Sequence, residues 1–477
     1  MQAITNWSLV IIGVVLSASF GLSLYFEAPY IFVIPPFLAA VYFIVFYTEK
    51  TFLSLALFAP LSVNIEEYTS DIGLYIPTEP ILFGLLLLLC ATQIKSPFLG
   101  KEIWKEPIIY TWLILLVWVF VTSVTSTNPL ISFKFLLAKC WFVIPILFFG
   151  TTFFQDEKNI MRFFTLLTIG VSITALYTII HHASYNFGEK ESHWVMYPFF
   201  KDHTIYGATV ALSIPISFAL LLLVKQRPLT QFLLLLMAII LLLGLYFSYT
   251  RAAWLSVIIA LLIGFIIHIK LKKQLIIGAG IIAILFITFK WDNIQLELSR
   301  NKQDHTTEDF GERMQSAGNV TTDASNLERI NRWSCAIEMF KERPVFGFGP
   351  GTYSFEYARF QRPENLTIIS TNFGDLGNAH SEYLSTLSEM GLPGILFFIA
   401  FVISIFYTSI QLYYQTSPSE TRLRILLMTI ILSLSTYFIH AFLNNFLDTD
   451  KAAVPIFALC AIVVSLKLKR QLSTNPK

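Results

Sequence analysis

Long apolar runs alternate with short polar breaks along almost the whole chain. Most runs are roughly 15 to 22 residues long, the length at which an α-helix crosses a bilayer. The runs at 51–64 and 138–154 are weaker, because the first is short and contains Pro60 and the second follows Lys134 and Lys139. The pattern predicts an all-α polytopic membrane protein with about 12–14 transmembrane helices. We place fourteen runs, near residues 7–26, 30–47, 51–64, 80–94, 108–126, 138–154, 160–181, 204–224, 232–249, 252–269, 275–289, 392–412, 425–442 and 453–466.

The composition agrees with this pattern. Hydrophobic residues make up 55% of the 477 residues and charged residues only 13%, whereas soluble domains carry about 25% charged residues. A soluble globular protein is therefore excluded. The formal net charge is +2 and the sequence contains no basic stripe, which argues against a nucleic-acid partner. The spacing of the four cysteines fits no metal site.

The distribution of lysine and arginine predicts the orientation. If the amino terminus is cytoplasmic, the inside loops hold seventeen of these residues and the short outside loops hold six, as the positive-inside rule requires. The first apolar run lacks a clear cleavage site, so we interpret it as a retained span. The chain then divides into an amino-terminal bundle (1–289), a large periplasmic loop (290–391), and carboxy-terminal spans with a cytoplasmic tail (392–477).

The second half of the predicted periplasmic loop has helical patterns. Apolar residues at helical spacing with charges between them predict a short amphipathic helix, with Ile330, Trp333, Ile337 and Phe340 on its apolar face. Pro344 and the glycines of "FGFGPG" then predict a tight turn. This turn follows a helix rather than a strand and lacks a P-loop lysine, so nucleotide binding is unsupported. A second short helix should end at Gly391, and Pro393 should open the next span.

The first candidate for chemistry is Arg251, in the stretch "YTRAAWLS" between two apolar runs. One interpretation is an interfacial anchor, since arginine can reach the membrane surface from a helix end. However, the predicted orientation places this arginine on the outer face of the membrane, in a link of only a residue or two between two helices. A guanidinium is always charged and offers a planar fork of donors, which suits a diphosphate headgroup.

Other candidates lie on the same predicted side. Arg329 lies on the amphipathic helix, where a solvated charge is the alternative interpretation. Lys201 and His203 lie at the start of a span, and the lysine could also be an anchor. His380 precedes a helix, and although an isolated histidine is more often structural, imidazole is the side chain best suited to take a proton near neutral pH.

A carboxylate pair, Asp448 and Asp450, has the Asp-x-Asp spacing used in metal-dependent sugar transfer. Two carboxylates in a short outer loop are far more often solvated, and the sequence therefore favours a solvated pair over a metal site. The Gly-x-Ser-x-Gly and His-Glu-x-x-His motifs of hydrolases and metalloproteases do not occur in the sequence.

Three stretches in order resemble the O-antigen ligase superfamily. They are "SYTRAAWLS" at 248–256, "ERINRWSCAIEMFKERPVFGFGPGTY" at 328–353 and "NAHSEYLSTLSEMGLPG" at 378–394. The superfamily includes lipopolysaccharide O-antigen ligases, Wzy-type polysaccharide polymerases and bacterial protein O-oligosaccharyltransferases. Two features depart from the family pattern. Tyr-Thr-Arg replaces Ser-Arg, and "FKDHT" at 200–204 replaces the Phe-Gly-Asn/Asp-Pro-Asn that precedes a span in the family.

The resemblance implies a GT-C-like membrane glycosyltransferase of the bacterial inner membrane, with its active site facing the periplasm among membrane lipids. The implied reaction moves a glycan, with inversion, from an undecaprenyl-diphosphate donor to an acceptor hydroxyl. The family's essential residues fall on Arg251, Arg329 and His380. The two arginines would bind the donor diphosphate, with Lys201 as a further contact, and His380 would deprotonate or orient the acceptor. The resemblance implies neither a metal nor another cofactor.

The sequence leaves the subfamily open. An O-antigen ligase that joins O-antigen to lipid A-core is slightly favoured. The alternatives are a polymerase that extends a glycan acceptor and a protein O-oligosaccharyltransferase. A lipid or solute transporter is the rival from another class, but transporters usually carry ionisable residues at mid-membrane. Here the centres of the spans are almost free of charge, with His440 the clearest exception.

Overall fold

The computed structural model describes residues 6–28, 30–66, 73–224, 227–271, 324–362 and 377–474. Helices dominate these ranges, and a two-stranded antiparallel ribbon pairs Val63–Asn64 with Tyr75–Ile76. The helices are α1 (Asn6–Tyr25), α2 (Tyr30–Phe46), α3 (Thr48–Leu61), α4 (Thr78–Lys95), α5 (Pro107–Val124), α6 (Pro129–Val143), α7 (Gly150–Phe153), α8 (Glu157–Ala183), α9 (His203–Leu223), α10 (Pro228–Tyr246), α11 (Arg251–His268), α12 (Ala324–Glu342), α13 (Tyr353–Glu356), α14 (Glu382–Gln415), α15 (Thr421–His440) and α16 (Asp450–Thr474).

The all-α polytopic architecture is confirmed. Ten helices within the described ranges are long and apolar enough to cross a membrane, and α2 and α3, bent by 120° at their junction, would make an eleventh. A π-helical turn at Ile144–Phe149 joins α6 to α7 within one such span. The predicted run at 275–289 lies outside the described residues.

Close approach between helices at small residues holds the bundle together. A Cβ on Gly170 of α8 would come within 2.7 Å of the Leu57 carbonyl oxygen of α3. A Cβ on Gly207 of α9 would come within 2.9 Å of Thr250, next to α11. Small residues allow such approach, and the resulting packing is a main source of stability in a bilayer. α16 lies at the centre and is almost entirely buried, whereas most of α10 is exposed on the outside of the bundle.

The predicted amphipathic helix exists as α12, but the face it buries differs from the prediction. Ile337 is 41% exposed, while Arg332, Cys335 and Met339 are buried. The buried apolar residues form a small core with Phe348, Tyr353, Tyr357 and Ala379. Arg332 can be buried because it pairs with Glu328, one helical turn earlier; the Arg332 Nε lies 2.8 Å from the Glu328 Oε1. The side of α12 that packs against the protein therefore includes a buried ion pair and is not the predicted apolar face.

The predicted break at Gly391 is confirmed. The helical assignment runs from Glu382 to Gln415, but Gly391 within it has φ 68° and ψ −169°, which interrupts the helix. The Trp118 indole donates a hydrogen bond to the Met390 carbonyl oxygen at 2.8 Å, so a carbonyl freed by the break is satisfied. Pro393 lies in the first turn after the break, where its missing N–H costs nothing.

The two ends of the bundle have different chemistry. At one end, which we call the Lys467 end, basic residues make contacts between helix termini. Lys467 lies 2.7 Å from Glu106, and Arg422 pairs with Glu157. These are cations that the charge rule assigned to the cytoplasmic loops. The start of α9, the start of α11 and the end of α15 lie at the other end, which we call the His203 end.

Candidate active site

Arg251 is the first residue of α11, at a tight junction with α10. Tyr249, in the link between the helices, has φ 50°, and Thr250 precedes the first turn of α11. The Thr250 hydroxyl donates to the His203 carbonyl oxygen at 2.8 Å. This hydrogen bond holds the α10–α11 junction against the start of α9, so the sequence-predicted Arg251 and His203 lie side by side at the same end.

Arg329 on α12 approaches the same place. The positive charges of Arg251 and Arg329 and the negative charge of the neighbouring Asp202 all act on the His203 side chain. The structure therefore brings the two predicted diphosphate-binding arginines to one histidine, although 78 positions of chain separate them. Arg251 and Arg329 are partly accessible rather than fully buried, so an anion could reach them.

His380 lies in a strained segment just before α14. Its backbone has φ 47°, a left-handed conformation that is uncommon for a residue with a side chain and often marks a functional position. Its N–H donates to the Asn378 side-chain oxygen at 2.9 Å, and its carbonyl oxygen accepts from the Trp333 indole at 3.3 Å. The second bond ties the histidine to the helix that carries Arg329.

Arg332 positions this segment. Its Nη1 donates to the Asn378 carbonyl oxygen at 3.2 Å, and its guanidinium lies 5.0 Å from the centre of the Tyr357 ring. With Glu328 as its ion-pair partner, Arg332 is a buried structural residue. Helical spacing could not reveal the contact between Arg332 and the Asn378 backbone.

The imidazole of His380 is neutral near pH 7. Burial, followed by the neighbouring charges of Arg329 and Arg332, lowers its pKa from 6.5 to about 4, against weaker opposing effects of Asp202 and Asn444. A neutral imidazole retains a lone pair and can accept a proton. An arriving anion would offset the arginine charges and make His380 a stronger base.

The segment "FKDHT" contains the candidate residues Lys201 and His203 and also forms the capped start of α9. Asp202 caps α9, since its Oδ1 accepts from the backbone N–H groups of Thr204 at 2.8 Å and Ile205 at 3.1 Å. The ring of His203 packs edge-on against His193, with 4.2 Å between ring centres. Lys201 is exposed. The departure from the family pattern thus still gives a capped helix start.

A cavity of about 850 Å³ opens beside His380 at the His203 end. Lys201, Asp202 and His380 line it, together with apolar side chains of α5 and α6. The cavity is large enough for several sugar rings or a headgroup, since small-molecule sites usually measure about 300–1,000 Å³. Arg251 and Arg329 are not among the residues that line this cavity.

Sequence analysis missed the polar groups deeper in this cavity. Glu382 accepts hydrogen bonds from the Tyr437 hydroxyl at 2.9 Å and from the Phe446 and Leu447 N–H groups at 2.7 Å each. Lys139 forms an ion pair with Asp448. Lys139 was noted only because it weakened a predicted span. The ion-pair partner lies more than 300 positions away, and no local pattern could reveal it.

Asp448 and Asp450 do not share a partner. Asp448 pairs with Lys139, while Asp450 accepts from the Ser62 hydroxyl at 2.5 Å. Lys451 lies beside them and donates to the carbonyl oxygens of Ala59 at 2.8 Å and Ser62 at 2.6 Å. Across the described ranges, no group of three or more His, Cys, Asp or Glu residues is placed to hold a metal ion. The interpretation of this pair as solvated is wrong for Asp450, which is fully buried.

Residues 233–399 match the family model described as O-antigen ligase. We call this matched region the O-antigen ligase domain. The match supports the membership of the O-antigen ligase superfamily that the three stretches predicted. Arg251, Arg329 and His380 all lie inside the O-antigen ligase domain, whereas Lys201 and Asp448 lie outside it. No curated protein matches the chain significantly.

Proposed function

We propose that this protein is a membrane glycosyltransferase that moves a glycan from undecaprenyl diphosphate to an acceptor hydroxyl, most simply as an O-antigen ligase acting on lipid A-core. The observation that carries the proposal is that Arg251 and Arg329 lie within electrostatic range of the same His203 side chain at the end of the bundle where a cavity of about 850 Å³ opens. Hydrogen bonds hold the start of α11 to His203, through Thr250, and α12 to His380, through Trp333. The O-antigen ligase domain supports the general class of reaction.

The arginines would hold the diphosphate of the donor. Both lie at the His203 end, where the polyprenyl tail could remain in the bilayer while the charged headgroup enters the site. Guanidinium groups bind phosphate oxygens through two parallel hydrogen bonds and stay charged throughout. As the sugar–phosphate bond breaks, negative charge grows on the leaving diphosphate. A fixed donor aimed at such charge typically contributes about 3–4 kcal/mol to the transition state.

His380 would activate the acceptor. Its imidazole takes the proton from the acceptor hydroxyl while the hydroxyl oxygen forms a bond to the anomeric carbon of the donor sugar. The bond between that carbon and the phosphate oxygen breaks, and the lipid diphosphate leaves with the electron pair. The proton on His380 then passes to solvent or to the departing diphosphate. Attack from the face opposite the leaving group inverts the anomeric centre.

Deletion of the gene tests the proposal in cells. A ligase predicts bare lipid A-core together with full-length glycan accumulated on its carrier lipid. Single repeat units on the core would instead indicate a Wzy-type polymerase, and loss of glycan from proteins would indicate an O-oligosaccharyltransferase. Normal glycans in all three fractions would contradict the proposal.

A purified system tests the chemistry directly. The protein in lipid vesicles would receive carrier-linked glycan extracted from the deletion strain and lipid A-core from the same strain. We expect glycan-bearing core and free undecaprenyl diphosphate as products, without added nucleotide and in the presence of EDTA. Strong inhibition by EDTA would restore a metal interpretation. Movement of the intact lipid across the membrane without cleavage would indicate a transporter.

A further inference from the structure

The turn that follows α12 presents two large apolar side chains on its surface. Val345 is 50% exposed and Phe346 is 43% exposed, whereas Phe348, two positions later, is fully buried. We call Val345 and Phe346 the apolar tip. Both belong to the stretch "RPVFGFG", which carries the tight turn predicted from the sequence. The proposed transfer reaction assigns no part to these two side chains.

The apolar tip packs against a membrane span. The Phe346 ring stacks on the Trp118 indole of α5, with 5.7 Å between ring centres and 14° between ring planes. The same indole meets Phe397 of α14 edge-on, with 6.0 Å between ring centres. The chain neighbours of these two aromatic residues, Val117 and Leu396, are exposed on the outside of the bundle, as expected for side chains that face lipid. The tip therefore continues the lipid-facing surface of two spans.

The position of Trp118 along α5 gives the depth of the tip. α5 has 18 residues and is roughly 27 Å long, which is less than the thickness of about 30 Å of a bilayer's hydrocarbon core. All of α5 is therefore needed to cross this core. The helix starts beside Glu106, the partner of Lys467, and so ends at the His203 end. Trp118 lies six residues before that end, at a depth of roughly 9 Å. A ring stacked on Trp118 lies at hydrocarbon depth rather than in water.

The backbone of the turn has protein partners of the kind that such an environment requires. A bilayer core offers no water to backbone groups, so a non-helical segment there must find its hydrogen bonds within the protein. The Leu392 N–H, at the start of the α14 span, donates to the Pro344 carbonyl oxygen at 2.8 Å. The Gly347 N–H donates to the Arg343 carbonyl oxygen at 3.1 Å. Pro344 has no N–H of its own to satisfy.

Arg343 lies at the level of the end of α5. Its side chain is exposed, and its guanidinium lies 4.9 Å from the centre of the Phe348 ring. The Phe348 carbonyl oxygen accepts from the Thr127 N–H at 2.8 Å, in the link that follows α5. The cation is thus close to the membrane surface while the tip lies deeper, and an arginine in this position can reach headgroup phosphates.

We propose that the apolar tip inserts into the acyl chains of the leaflet at the His203 end, with Arg343 at the level of the headgroups. The inserted tip anchors the carboxy-terminal end of α12 to the bilayer. Because α12 also carries Arg329, the anchor holds that arginine near the membrane surface. The inference does not depend on the proposed function, since it rests on the depth and continuity of an apolar surface and on no reaction.

Fluorescence quenching in lipid vesicles tests the insertion. In a variant whose four cysteines are replaced, Val345→Cys places one thiol on the tip for a bimane label. Phospholipids brominated on their acyl chains quench labels within the bilayer, and iodide quenches labels that water reaches. We expect the brominated lipid to remove most of the fluorescence at position 345 and iodide to leave most of it. Phe346→Cys should give the same pattern, so the result does not depend on the folding of one variant.

Two further labelled sites serve as references. Val117→Cys on α5 is the lipid-facing reference, and Ile337→Cys on α12 is the matched aqueous control. Ile337 is 41% exposed, close to the values of the tip residues, but it lies beside Glu338, which pairs with the exposed Lys341 at 3.0 Å. Its label should be quenched by iodide and spared by the brominated lipid.

Two results would overturn the proposal. Quenching at position 345 by iodide and not by brominated lipid would place the tip in water. Protection from both quenchers would mean that protein, such as a second copy of the chain, covers the tip instead of lipid. Neither measurement needs turnover. If the protein transfers no glycan in the vesicle assay, the proposed function fails while the depth of the tip is still decided.

Discussion

Arg251 occupies a position that costs folding energy. It is the first residue of α11, where the partial positive charge of the helix amino terminus disfavours a cation. Arg329 adds a second positive charge beside the same His203 side chain. Since Thr250 is the N-cap, an aspartate or a glutamate at position 251 would suit the first turn of the helix better than an arginine. Binding of a diphosphate would turn this repulsion into attraction, which is why the arrangement favours an anion site.

Replacement of Arg251 by alanine should lower transfer by about 10² to 10³-fold, the usual effect of removing one donor that stabilises developing charge. Arg251→Lys should recover only part of the activity, because an ammonium cannot form the paired hydrogen bonds of a guanidinium. The rate of transfer in vesicles measures both effects. The thermal midpoint of Arg251→Ala, measured alongside, shows whether the variant is still folded.

The control for Arg251 is Arg162→Ala at the Lys467 end, an exposed arginine whose guanidinium donates to the Asn159 side-chain oxygen at 3.1 Å. Its activity should match that of the unchanged protein. Full transfer by Arg251→Ala, with donor binding intact, would remove the arginine from the proposed site.

The lowered pKa of His380 predicts a pH dependence of stability. Because burial and the two arginines lower the folded-state pKa to about 4 from an ordinary value of 6.5, the unfolded chain binds more protons than the folded chain between these values. Stability should therefore fall as pH decreases from about 6.5 to about 4. His380→Gln should lose that part of the dependence, and thermal midpoints measured over this range would show it. Identical slopes for the two proteins would contradict a buried, neutral His380.

Activity should follow the same titration, because it also requires the neutral form of His380. The base works in its neutral form, so kcat/KM of the free enzyme should be level near neutral pH and fall toward about pH 4. The acidic limb of kcat should lie at higher pH, because a bound diphosphate raises the pKa of the imidazole. An acidic limb of kcat below that of kcat/KM would argue against a diphosphate beside His380.

At the scale of elements, the helices and their breaks were predictable but the buried faces were not. The break at Gly391 followed from a glycine and a proline two positions apart. The buried face of α12 could not follow from apolar spacing, because the helix buries the Arg332–Glu328 pair and leaves Ile337 exposed. Burial of an ion pair depends on partners such as Asn378 and Tyr357, which only the folded chain brings together.

Gly391→Ala should destabilise the contact between α14 and the turn after α12. The residue has φ 68°, and an added Cβ would lie 2.1 Å from the Val345 carbonyl oxygen. The left-handed conformation alone costs roughly 1–2 kcal/mol for a residue with a side chain, and the clash adds to it. We expect a lower thermal midpoint and reduced transfer. Gly13→Ala, where an added Cβ meets nothing within 4 Å, is the control. Equal midpoints for the two variants would contradict the strain.

At the scale of the whole molecule, the sequence located the cationic residues but not their supports. Arg251, Arg329 and His380 could be found because each lies in a short motif of the O-antigen ligase type. Glu382 and Lys139 carry no such motif, and they reach their partners Leu447 and Asp448 only through the packing of α6, α14 and the turn after α15. Partners that are distant in the chain leave no periodic signal, so the cavity was not predictable.

The orientation of the bundle is the largest remaining prediction, because the proposed donor requires the His203 end to face the periplasm. Ser184, just after α8, is exposed at the His203 end, and Ser417, just before α15, is exposed at the Lys467 end. In a variant whose four cysteines are replaced, Ser184→Cys and Ser417→Cys each introduce one thiol. A membrane-impermeant maleimide should label Ser184→Cys in intact spheroplasts and Ser417→Cys only after lysis, because the charge rule places the basic loops in the cytoplasm. The reverse result would place Arg251 on the cytoplasmic side, where the proposed periplasmic transfer could not occur. Labelling of both sites before lysis would mean that the spheroplasts leak. A cytoplasmic marker enzyme in the supernatant detects such leakage independently.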